Sequence, residues 1–241
     1  MEKWNIRTEM LIGKDGIEKL SKLRVGIFGV GGVGSFAAEA IARCGVGTIV
    51  LVDFDYVSPS NINRQIHALI PTIGSEKVLV MRDRILQINP AAKVTGLCMY
   101  LDEYNVKEVI DCNQVDYVVD AMDHVNAKIA LITYCVHHKI PIISSMGAGN
   151  KFDPTKLVVA DISKTHTCPL ARRVRMKLKE RGITKGVKTV FSTESPRKPV
   201  LEGDSDLSTT FSPPGSIAYL PSSVGLLLAS VVINDTLSEL I

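Results

Sequence analysis

Paired cysteines are missing from this sequence. The chain has 241 residues and only five cysteines, none of which forms a C-x-x-C pair: Cys44, Cys98, Cys112, Cys135 and Cys168. Structural zinc sites of the common kinds need such pairs, and an odd number of separated thiols does not suit a disulfide framework. We therefore expect a reduced, cytoplasmic protein without a structural zinc site.

Targeting signals and a strong net charge are also lacking. Residues 1–5 contain no apolar signal region, so export is not expected. The net charge of +3 is too small to indicate nucleic-acid binding by itself. The apolar segment from 217 to 233 is interrupted by Pro221, Ser222 and Ser223 and is short for a membrane span. It predicts a buried or dimer-interface helix without stable membrane insertion, with peripheral or single-span attachment as the alternative.

A glycine-rich loop between a strand and a helix is the first motif that is present. The apolar run Arg24–Phe28 predicts a short buried strand, and Ser35–Cys44 has the apolar face of a helix. The loop between them contains four glycines: Gly29, Gly31, Gly32 and Gly34. Such glycines let the main chain approach a phosphate, and the helix N-terminus offers unpaired N–H groups. The stretch therefore predicts a nucleotide site.

The residues after the second strand indicate which nucleotide binds. Thr48–Val52 predicts that strand, and Asp53 stands where a Rossmann unit binds ribose, which would suit NAD as well as ATP. However, Arg64 follows in the next loop, and Lys77 comes thirteen residues later. An NAD enzyme does not need these cations, whereas they can hold triphosphate oxygens and stabilise a departing pyrophosphate. We interpret the stretch as an ATP site.

A further carboxylate follows a later strand. Val115–Asp120 predicts a parallel strand, Val125–His137 predicts the next helix, and Asp123 lies between them. Ligands bind at the C-terminal ends of the strands in such sheets, so we expect Asp123 on the same edge as the glycine loop. It is a candidate ligand for the Mg²⁺ that accompanies ATP; alternatively, its side chain caps the following helix.

Charges of one sign cluster on a later helix. Between residues 164 and 188 there are nine basic residues against one acid. Pro169 and Gly182 bracket a helix whose apolar stripe is Leu170, Val174 and Leu178. A solvated face normally mixes the two signs, so the excess favours a polyanion such as RNA over a plain solvated surface. The predicted tRNA contacts are Lys164, Arg172, Arg173, Arg175, Lys177 and Lys179.

Strands and helices alternate along most of the chain, which predicts an α/β fold with a Rossmann-like, doubly wound, mostly parallel sheet. We divide this single domain into an N-terminal helical arm (1–23), a nucleotide-binding core (24–161), a basic helix with substrate-side loops (162–215) and a C-terminal apolar helix (216–241). The remaining predicted elements are helices Asp15–Leu23 and Ser75–Ile88, strands Lys93–Leu97, Pro141–Ser145 and Leu157–Ala160, and a mobile loop over 192–215.

Together these motifs resemble a known superfamily. G-x-G-G-x-G, D-F-D, N-x-N-R-Q, Lys77 and the A-x-D that ends at Asp123 are similar to the adenylating enzymes of the MoeB, ThiF and ubiquitin-activating type. Within that superfamily the chain looks most like the tRNA threonylcarbamoyladenosine dehydratases, the TcdA family. The closer likeness is carried by Asn63–Ala68, Gly147–Gly149, Asp161–Leu170 and Phe191–Glu194. The absent C-x-x-C pairs disfavour the MoeB and ThiF branches.

The resemblance implies a homodimer that binds ATP and Mg²⁺. The nucleotide-binding set that it implies is Gly29, Gly31, Gly32, Gly34, Asp53, Asp55, Asn61, Arg64, Gln65, Lys77 and Asp123. Asp53 would hold the ribose, and Asp123 would hold the Mg²⁺. The phosphates would be held by Asn61, Arg64 and Lys77. The catalytic residues would be Arg64, Lys77 and Asp123, and Arg7 of the N-terminal arm would reach into the partner's site.

The implied reaction is the ATP-dependent dehydration of threonylcarbamoyladenosine beside the tRNA anticodon. The threonyl carboxylate attacks the α-phosphorus of ATP, and the neighbouring carbamoyl group then closes a ring as AMP leaves. Because the nucleophile is tethered to the substrate, no protein nucleophile is required. Cys168 is therefore more simply an ordinary loop cysteine than a covalent catalyst. A sulfur-relay protein is a further candidate partner.

Two other functions stay open at this point. One is adenylation of the C-terminal glycine of a ubiquitin-like sulfur-carrier protein, against which the missing C-x-x-C pairs and the basic helix speak. The other is an NAD-binding oxidoreductase or a nucleotide-binding scaffold without turnover. Arg64, Lys77 and Asp123 would have no role in that second function.

Overall fold

One seven-stranded sheet forms the centre of this computed structural model, which describes residues 4–198 and 214–240. Its strands are β1 (Arg24–Phe28), β2 (Thr48–Val52), β3 (Lys93–Leu97), β4 (Tyr117–Asp120), β5 (Ile142–Ser145), β6 (Leu157–Asp161) and β7 (Lys188–Ser192). Their order across the sheet is β3-β2-β1-β4-β5-β7-β6. Every pairing is parallel except that of β6 with β7. The predicted α/β fold with a mostly parallel, doubly wound sheet is confirmed.

The central strands are apolar because both faces of the sheet are covered. All but the first residue of β1 and of β2 are buried. A parallel sheet covered on both faces shows such continuous apolar runs instead of alternation. The strand order reverses at β1, since β2 lies on one side of it and β4 on the other. Ligands bind beside such a reversal, which here lies next to Phe28 and Asp120, the last residues of β1 and β4.

Seven α-helices cover the two faces within the described residues. They are α1 (Ile6–Lys22), α2 (Gly34–Arg43), α3 (Lys77–Ile88), α4 (Val106–Cys112), α5 (Val125–His138), α6 (Pro169–Glu180) and α7 (Tyr219–Leu237). On one face α2, α3 and α7 pack around a core that includes the fully buried Ile41 and Leu228. On the other face α4, α5 and α6 pack around a core that includes Leu131 and Leu178.

Several elements differ from the sequence prediction. α1 begins at Ile6, nine residues before the predicted start. Gly13, with φ of 72°, interrupts the helical pattern, which hid the first part of α1 in the sequence. α4 was not predicted, since its seven residues are too few for a clear period. β7 occupies part of the segment that was assigned to basic and loop residues, and it buries the polar side chains of Thr189 and Ser192. Of the loop predicted over 192–215, residues 199–213 lie outside the described residues.

The C-terminal helix α7 packs closely on α2. It extends beyond the predicted segment 217–233, since it ends at Leu237. Gly225 lies at the contact, where a Cβ would collide with the carbonyl oxygen of Val33. By length and composition, α7 is the one described helix that could cross a membrane, with a mean hydropathy of 1.4 over its most apolar 18 residues. Half of these 18 residues are buried within the protein, which agrees with the prediction of a buried helix.

We expect Gly225→Ala to destabilise the fold, although alanine normally favours a helix over glycine by about 1 kcal/mol. The new Cβ would meet the carbonyl oxygen of Val33 and would lie 2.9 Å from the amide nitrogen of Ala37, so α7 would have to move away from α2. Overpacking of this kind lowers the free energy of unfolding by about 1–3 kcal/mol, which denaturant titration measures. Ser230→Ala, at an exposed position of α7, is the matched control and should be neutral or slightly stabilising. A Gly225→Ala protein as stable as the parent would contradict the close contact.

Candidate functional site

A cleft of about 570 Å³ runs along the C-terminal edge of the sheet. It is lined by the loops that follow β1, β2, β4 and β5, by the start of α6 and by Pro221 of α7. It brings together the predicted residues Gly29, Gly31, Gly32, Asp53, Asp55, Asn61, Arg64, Gln65, Lys77, Asp123 and Cys168. Gly34, Arg7 and the basic side chains of α6 do not line it.

The glycine loop forms the wall of the cleft at β1, and two of its glycines have different surroundings. Gly34 opens α2, where a Cβ would collide with the carbonyl oxygen of Gly29. Gly31 faces the cleft instead, since the nearest atom to a Cβ built there is Nε2 of Gln65, 3.9 Å away. Among residues 4–198 and 214–240, no side chain caps the N-terminus of α2, whose N-cap is Val33. Open space beside uncapped helix amides suits phosphate oxygens, so these residues fit a nucleotide.

Asp53 ties the glycine loop to the end of β2. Its carboxylate accepts hydrogen bonds from the amide of Val30 at 2.6 Å and from the amide of Asp55 at 2.9 Å. Burial raises the pKa of Asp53, while Lys77 and the two amides act in the opposite direction. The carboxylate therefore has a structural role in the loop, and its binding of ribose stays a prediction.

Lys77 and Arg64 bring positive charge to the same part of the cleft. Lys77 is 4% exposed, and its Nζ lies 2.6 Å from a carboxylate oxygen of Asp55. Arg64 donates from Nη1 to the carbonyl oxygen of Ser60 at 2.8 Å and to the side-chain oxygen of Asn63 at 2.9 Å. Ammonium and guanidinium groups have three and five N–H donors, so both side chains keep donors for a ligand.

Asn61 and Gln65 complete this part of the cleft. The side-chain oxygen of Asn61 accepts a hydrogen bond from the amide of Ser58 at 3.0 Å, which stabilises the short 3-10 turn Pro59–Asn61. The side-chain oxygen of Gln65 is buried and has no hydrogen-bond partner within the described chain. A buried polar atom without a partner lowers stability, and a ligand that hydrogen-bonds to Gln65 would remove that penalty.

Asp123 projects from the loop after β4 at the rim of the cleft. Its side chain is 96% exposed and lies 3.9 Å from Nε2 of His124. The N-cap residue of α5 is His124, and no side chain of the described residues caps that helix. Asp123 therefore does not cap α5, which was its alternative role. In residues 4–198 and 214–240, no group of three His, Cys, Asp or Glu side chains is placed to hold a metal ion. Asp123 suits Mg²⁺ only together with phosphate oxygens and water, which is the usual manner for this ion.

The comparison with protein families agrees with this geometry. The ThiF family model matches residues 5–237, which is nearly the whole chain. The chain belongs to the ThiF family.

Two relatives narrow the assignment within the ThiF family. The tRNA threonylcarbamoyladenosine dehydratase of Bacillus subtilis is 48% identical over 241 aligned residues, which cover 97% of this chain and 94% of that protein. The crystal structure of the E. coli tRNA threonylcarbamoyladenosine dehydratase TcdA in complex with ATP has a TM-score of 0.90 at 36% identity, covering 98% of this chain and 94% of that one. The E. coli molybdopterin-synthase adenylyltransferase is 38% identical over only 130 residues, 54% of this chain and 51% of that protein. The resemblance to the TcdA family is confirmed.

A buried ion pair lies behind the cleft of this ThiF-family chain. Lys128 of α5 and Asp120 at the end of β4 are both fully buried, and Nζ lies 2.7 Å from the carboxylate. Nζ also donates to the carbonyl oxygen of Ser145 at 3.0 Å and to the hydroxyl of Ser144 at 3.3 Å. The cluster joins β4, α5 and β5 where two cleft-lining loops begin. This ion pair was not predicted, although a lysine within the apolar pattern of α5 is visible in the sequence.

The loop after β5 and the start of α6 line the other end of the cleft. The sequence analysis assigned Cys168 to a loop, and the structure places it at the N-cap of α6, 2% exposed. Its Sγ lies 4.0 Å from the carbonyl oxygen of Gly147, which is its only hydrogen-bond partner in the described part of the chain. A nucleophilic thiol needs an adjacent base or cation to activate it, and Lys151 is the cation that interacts with this one. The covalent role of Cys168 stays a prediction.

The basic helix α6 of this ThiF-family chain buries Ala171, Val174 and Leu178 and leaves most of its cations outside. Leu170, predicted as part of the buried stripe, is only partly buried and lines the cleft. The exposed members of the predicted tRNA contacts are Lys164, Arg172, Arg173, Lys177 and Lys179. Arg175 differs, because its guanidinium donates to the carbonyl oxygen of Thr165 at 2.7 Å and to its hydroxyl. Arg175 therefore stabilises the loop before α6.

His67 is a buried residue whose role the sequence does not reveal. It is 1% exposed, and neither ring nitrogen has a hydrogen-bond partner among the described residues. Burial, together with the positive charges of Lys77 and Arg84, lowers the pKa of His67 to about 4. The imidazole is therefore neutral at physiological pH and adds no charge near Lys77.

Acid should destabilise the parent protein more than a His67→Leu variant. Because the pKa of His67 falls from 6.5 to about 4 on folding, the unfolded chain binds more protons between these values. Stability is therefore lost as the pH falls from about 6.5 towards 4, by up to on the order of 3 kcal/mol. Denaturant titrations at about pH 7 and about pH 4 measure this loss, with the exposed His137→Gln as the control that should keep the parent's pH dependence. Equal losses in the parent and in His67→Leu would contradict the assignment.

Proposed function

We propose that this chain catalyses the ATP-dependent dehydration of threonylcarbamoyladenosine next to the tRNA anticodon, through adenylation of the threonyl carboxylate. The observation that carries the proposal is the 48% identity to the Bacillus subtilis tRNA threonylcarbamoyladenosine dehydratase over nearly the full length of both proteins. The cleft supports it independently, because it combines a glycine loop, two cations and a carboxylate at one sheet edge.

The proposed reaction has two steps. An oxygen of the threonyl carboxylate attacks the α-phosphorus of ATP, which forms the acyl-adenylate and breaks the bond to the departing pyrophosphate. The neighbouring carbamoyl group then attacks the activated carbonyl and loses a proton. The carboxylate oxygen that was bonded to phosphorus leaves with AMP, so the substrate loses one water overall. Because both reacting groups belong to one side chain, the enzyme mainly has to position them.

The residues around the glycine loop account for the first step. Arg64 and Lys77 would hold phosphate oxygens and stabilise the charge that develops on pyrophosphate. Asp123 would hold Mg²⁺, which supplies further neutralisation of the phosphates when it is bound. Asp53 would hold the ribose. That ATP enters such a cleft is supported by the E. coli relative, whose structure is a complex with ATP.

The exposed face of α6 is the proposed tRNA contact. Arg172, Arg173, Lys177 and Lys179 face solvent on one helix beside the cleft, whose wall includes Cys168 and Pro169 of the helix start. Lysine and arginine side chains contact the phosphates of RNA and supply most of the sequence-independent affinity. Such a surface next to the site would orient the anticodon loop towards the bound nucleotide.

The finer features of the assembly are part of the same proposal. We place the protein in the cytoplasm as a homodimer, in which the exposed Arg7 of α1 reaches the partner's cleft. A sulfur-relay protein stays a candidate partner. Adenylation of a sulfur-carrier protein is not favoured, because the molybdopterin-synthase adenylyltransferase relative matches only about half of this chain.

Arg64→Ala, Lys77→Ala and Asp123→Ala should each lower kcat for the reaction by roughly 10²–10³, because each removes a group that acts on the charged phosphates. The measurement combines AMP release that depends on modified tRNA with mass spectrometry of the anticodon nucleosides, which detects the loss of one water. Lys93→Ala is the matched control, since this exposed lysine begins β3 at the opposite edge of the sheet. Unchanged turnover in all three variants would contradict the roles, and no dehydrated nucleoside with the parent protein would contradict the function.

Reversing two charges of α6 should weaken tRNA binding and leave nucleotide binding unchanged. In Arg172→Glu with Arg173→Glu, the KM for tRNA should rise roughly tenfold or more, and the salt dependence of binding should become shallower by about one unit for each lost phosphate contact. The control carries Lys14→Glu with Lys93→Glu, which makes the same change in net charge at exposed positions outside α6. If both double variants behave alike, α6 is not the tRNA contact.

A further inference from the structure

The end of the cleft at β5 and β7 is separate from the nucleotide residues. In the strand order, β5 lies two positions from β1, which corresponds to about 10 Å. The glycine loop, Arg64 and Lys77 lie on the β1 and β2 side, whereas Met146 to Lys151 and the start of α6 line the far side. If ATP binds on the β1 and β2 side, a second reactant that approaches its α-phosphate from the β5 and β7 side would occupy the far end of the cleft.

Lys151 is the positive charge at this far end. It is 4% exposed and lines the cleft, and its Nζ donates one hydrogen bond, to the carbonyl oxygen of Ser192 at 3.2 Å. No carboxylate forms an ion pair with it within residues 4–198 and 214–240. An ammonium group has three N–H donors, so two remain for a ligand.

The nearby acid, Glu194, is already occupied. Its carboxylate accepts hydrogen bonds from the amides of Phe152 and Asp153, both at 2.8 Å, and lies 3.4 Å from Nε of Arg197. Burial lowers the pKa of Lys151, while Cys168 and Glu194 act in the opposite direction. A buried cation without a full counter-charge is stabilised by an anion that enters the cleft.

The first turn of α6 adds a second source of positive potential. α6 has 12 residues, and no side chain in the described part of the chain caps its N-terminus. Its N-cap, Cys168, lines the cleft together with Pro169 and Leu170. Because proline has no N–H, the uncapped amides of the first turn are those of Leu170 and Ala171. The positive end of the helix dipole therefore points to the same space as Lys151.

We propose that Lys151 and the first turn of α6 form the subsite for the carboxylate of the acyl substrate. This inference rests on the proposed function and names the residues that hold its second reactant. One carboxylate oxygen bonds to Lys151 while the other attacks the α-phosphorus. During ring closure the oxygen that stays on the carbonyl gains negative charge, and the same ammonium group stabilises it.

The test compares a carboxylate with its neutral ester. The probes are anticodon stem-loop RNAs that carry threonylcarbamoyladenosine either as the free acid or as its methyl ester, bound to the full chain with a non-hydrolysable ATP analogue. The parent should bind the acid roughly tenfold or more tightly than the ester, because a hydrogen bond between charged groups is worth about 1.5–3 kcal/mol. In Lys151→Met this preference should fall to about twofold or less, while the affinities for the ester and for the ATP analogue stay within about twofold of the parent.

Two further variants separate binding from folding. Lys151→Arg should keep a measurable part of the acid preference, since it retains the charge. Lys156→Met, an exposed lysine of the same loop region, should keep all of it. An unchanged acid preference in Lys151→Met would overturn the inference. If Lys151→Met does not fold, Lys151→Gln takes its place with the same expectation. Equal binding of acid and ester by the parent also overturns the inference. If the parent dehydrates modified tRNA but binds the acid and the ester equally, this inference is wrong and the proposed function stands.

Discussion

The buried ion pair between Lys128 and Asp120 is the constraint on which the cleft depends. Both side chains are fully buried, so removal of either partner would leave an uncompensated charge inside the protein. The pair draws α5 against the ends of β4 and β5, and Ser144 reinforces it by donating to Asp120 at 2.6 Å. The loops with Asp123 and with Lys151 begin directly after these strand ends. Their positions relative to the glycine loop therefore follow from a contact between two fully buried side chains.

Charge is distributed differently at the two ends of the cleft. At the nucleotide end Lys77 is paired with Asp55, and Arg64 is held by neutral oxygens, so these cations are stable without a ligand. At the far end Lys151 has one neutral acceptor and an uncapped helix start beside it. This difference matches the proposed chemistry, because ATP brings several negative charges to one end and the acyl substrate brings a single carboxylate to the other.

Local patterns predicted the parts of the fold in which sequence and burial agree. The strands β1 and β2 are continuous apolar runs, and the glycine loop between β1 and α2 has a spacing that few other structures need. The elements that were missed are those in which the pattern is short or polar. α4 has seven residues, and β7 buries Thr189, whose hydroxyl donates to the carbonyl oxygen of Ala160 at 2.8 Å.

By itself, the sequence determined the family, the parallel sheet and the residues around the glycine loop, because each of these leaves a recognisable pattern in short stretches of the chain. Only the tertiary structure decided that Asp53 holds the loop through Val30 and that Arg175 donates to Thr165. It also decided that Lys151 lines the cleft without an acid partner among the described residues. Each of these depends on groups that come together from distant elements. The charge of a side chain is visible in the sequence, but its partner is set by which strand ends meet at the sheet edge.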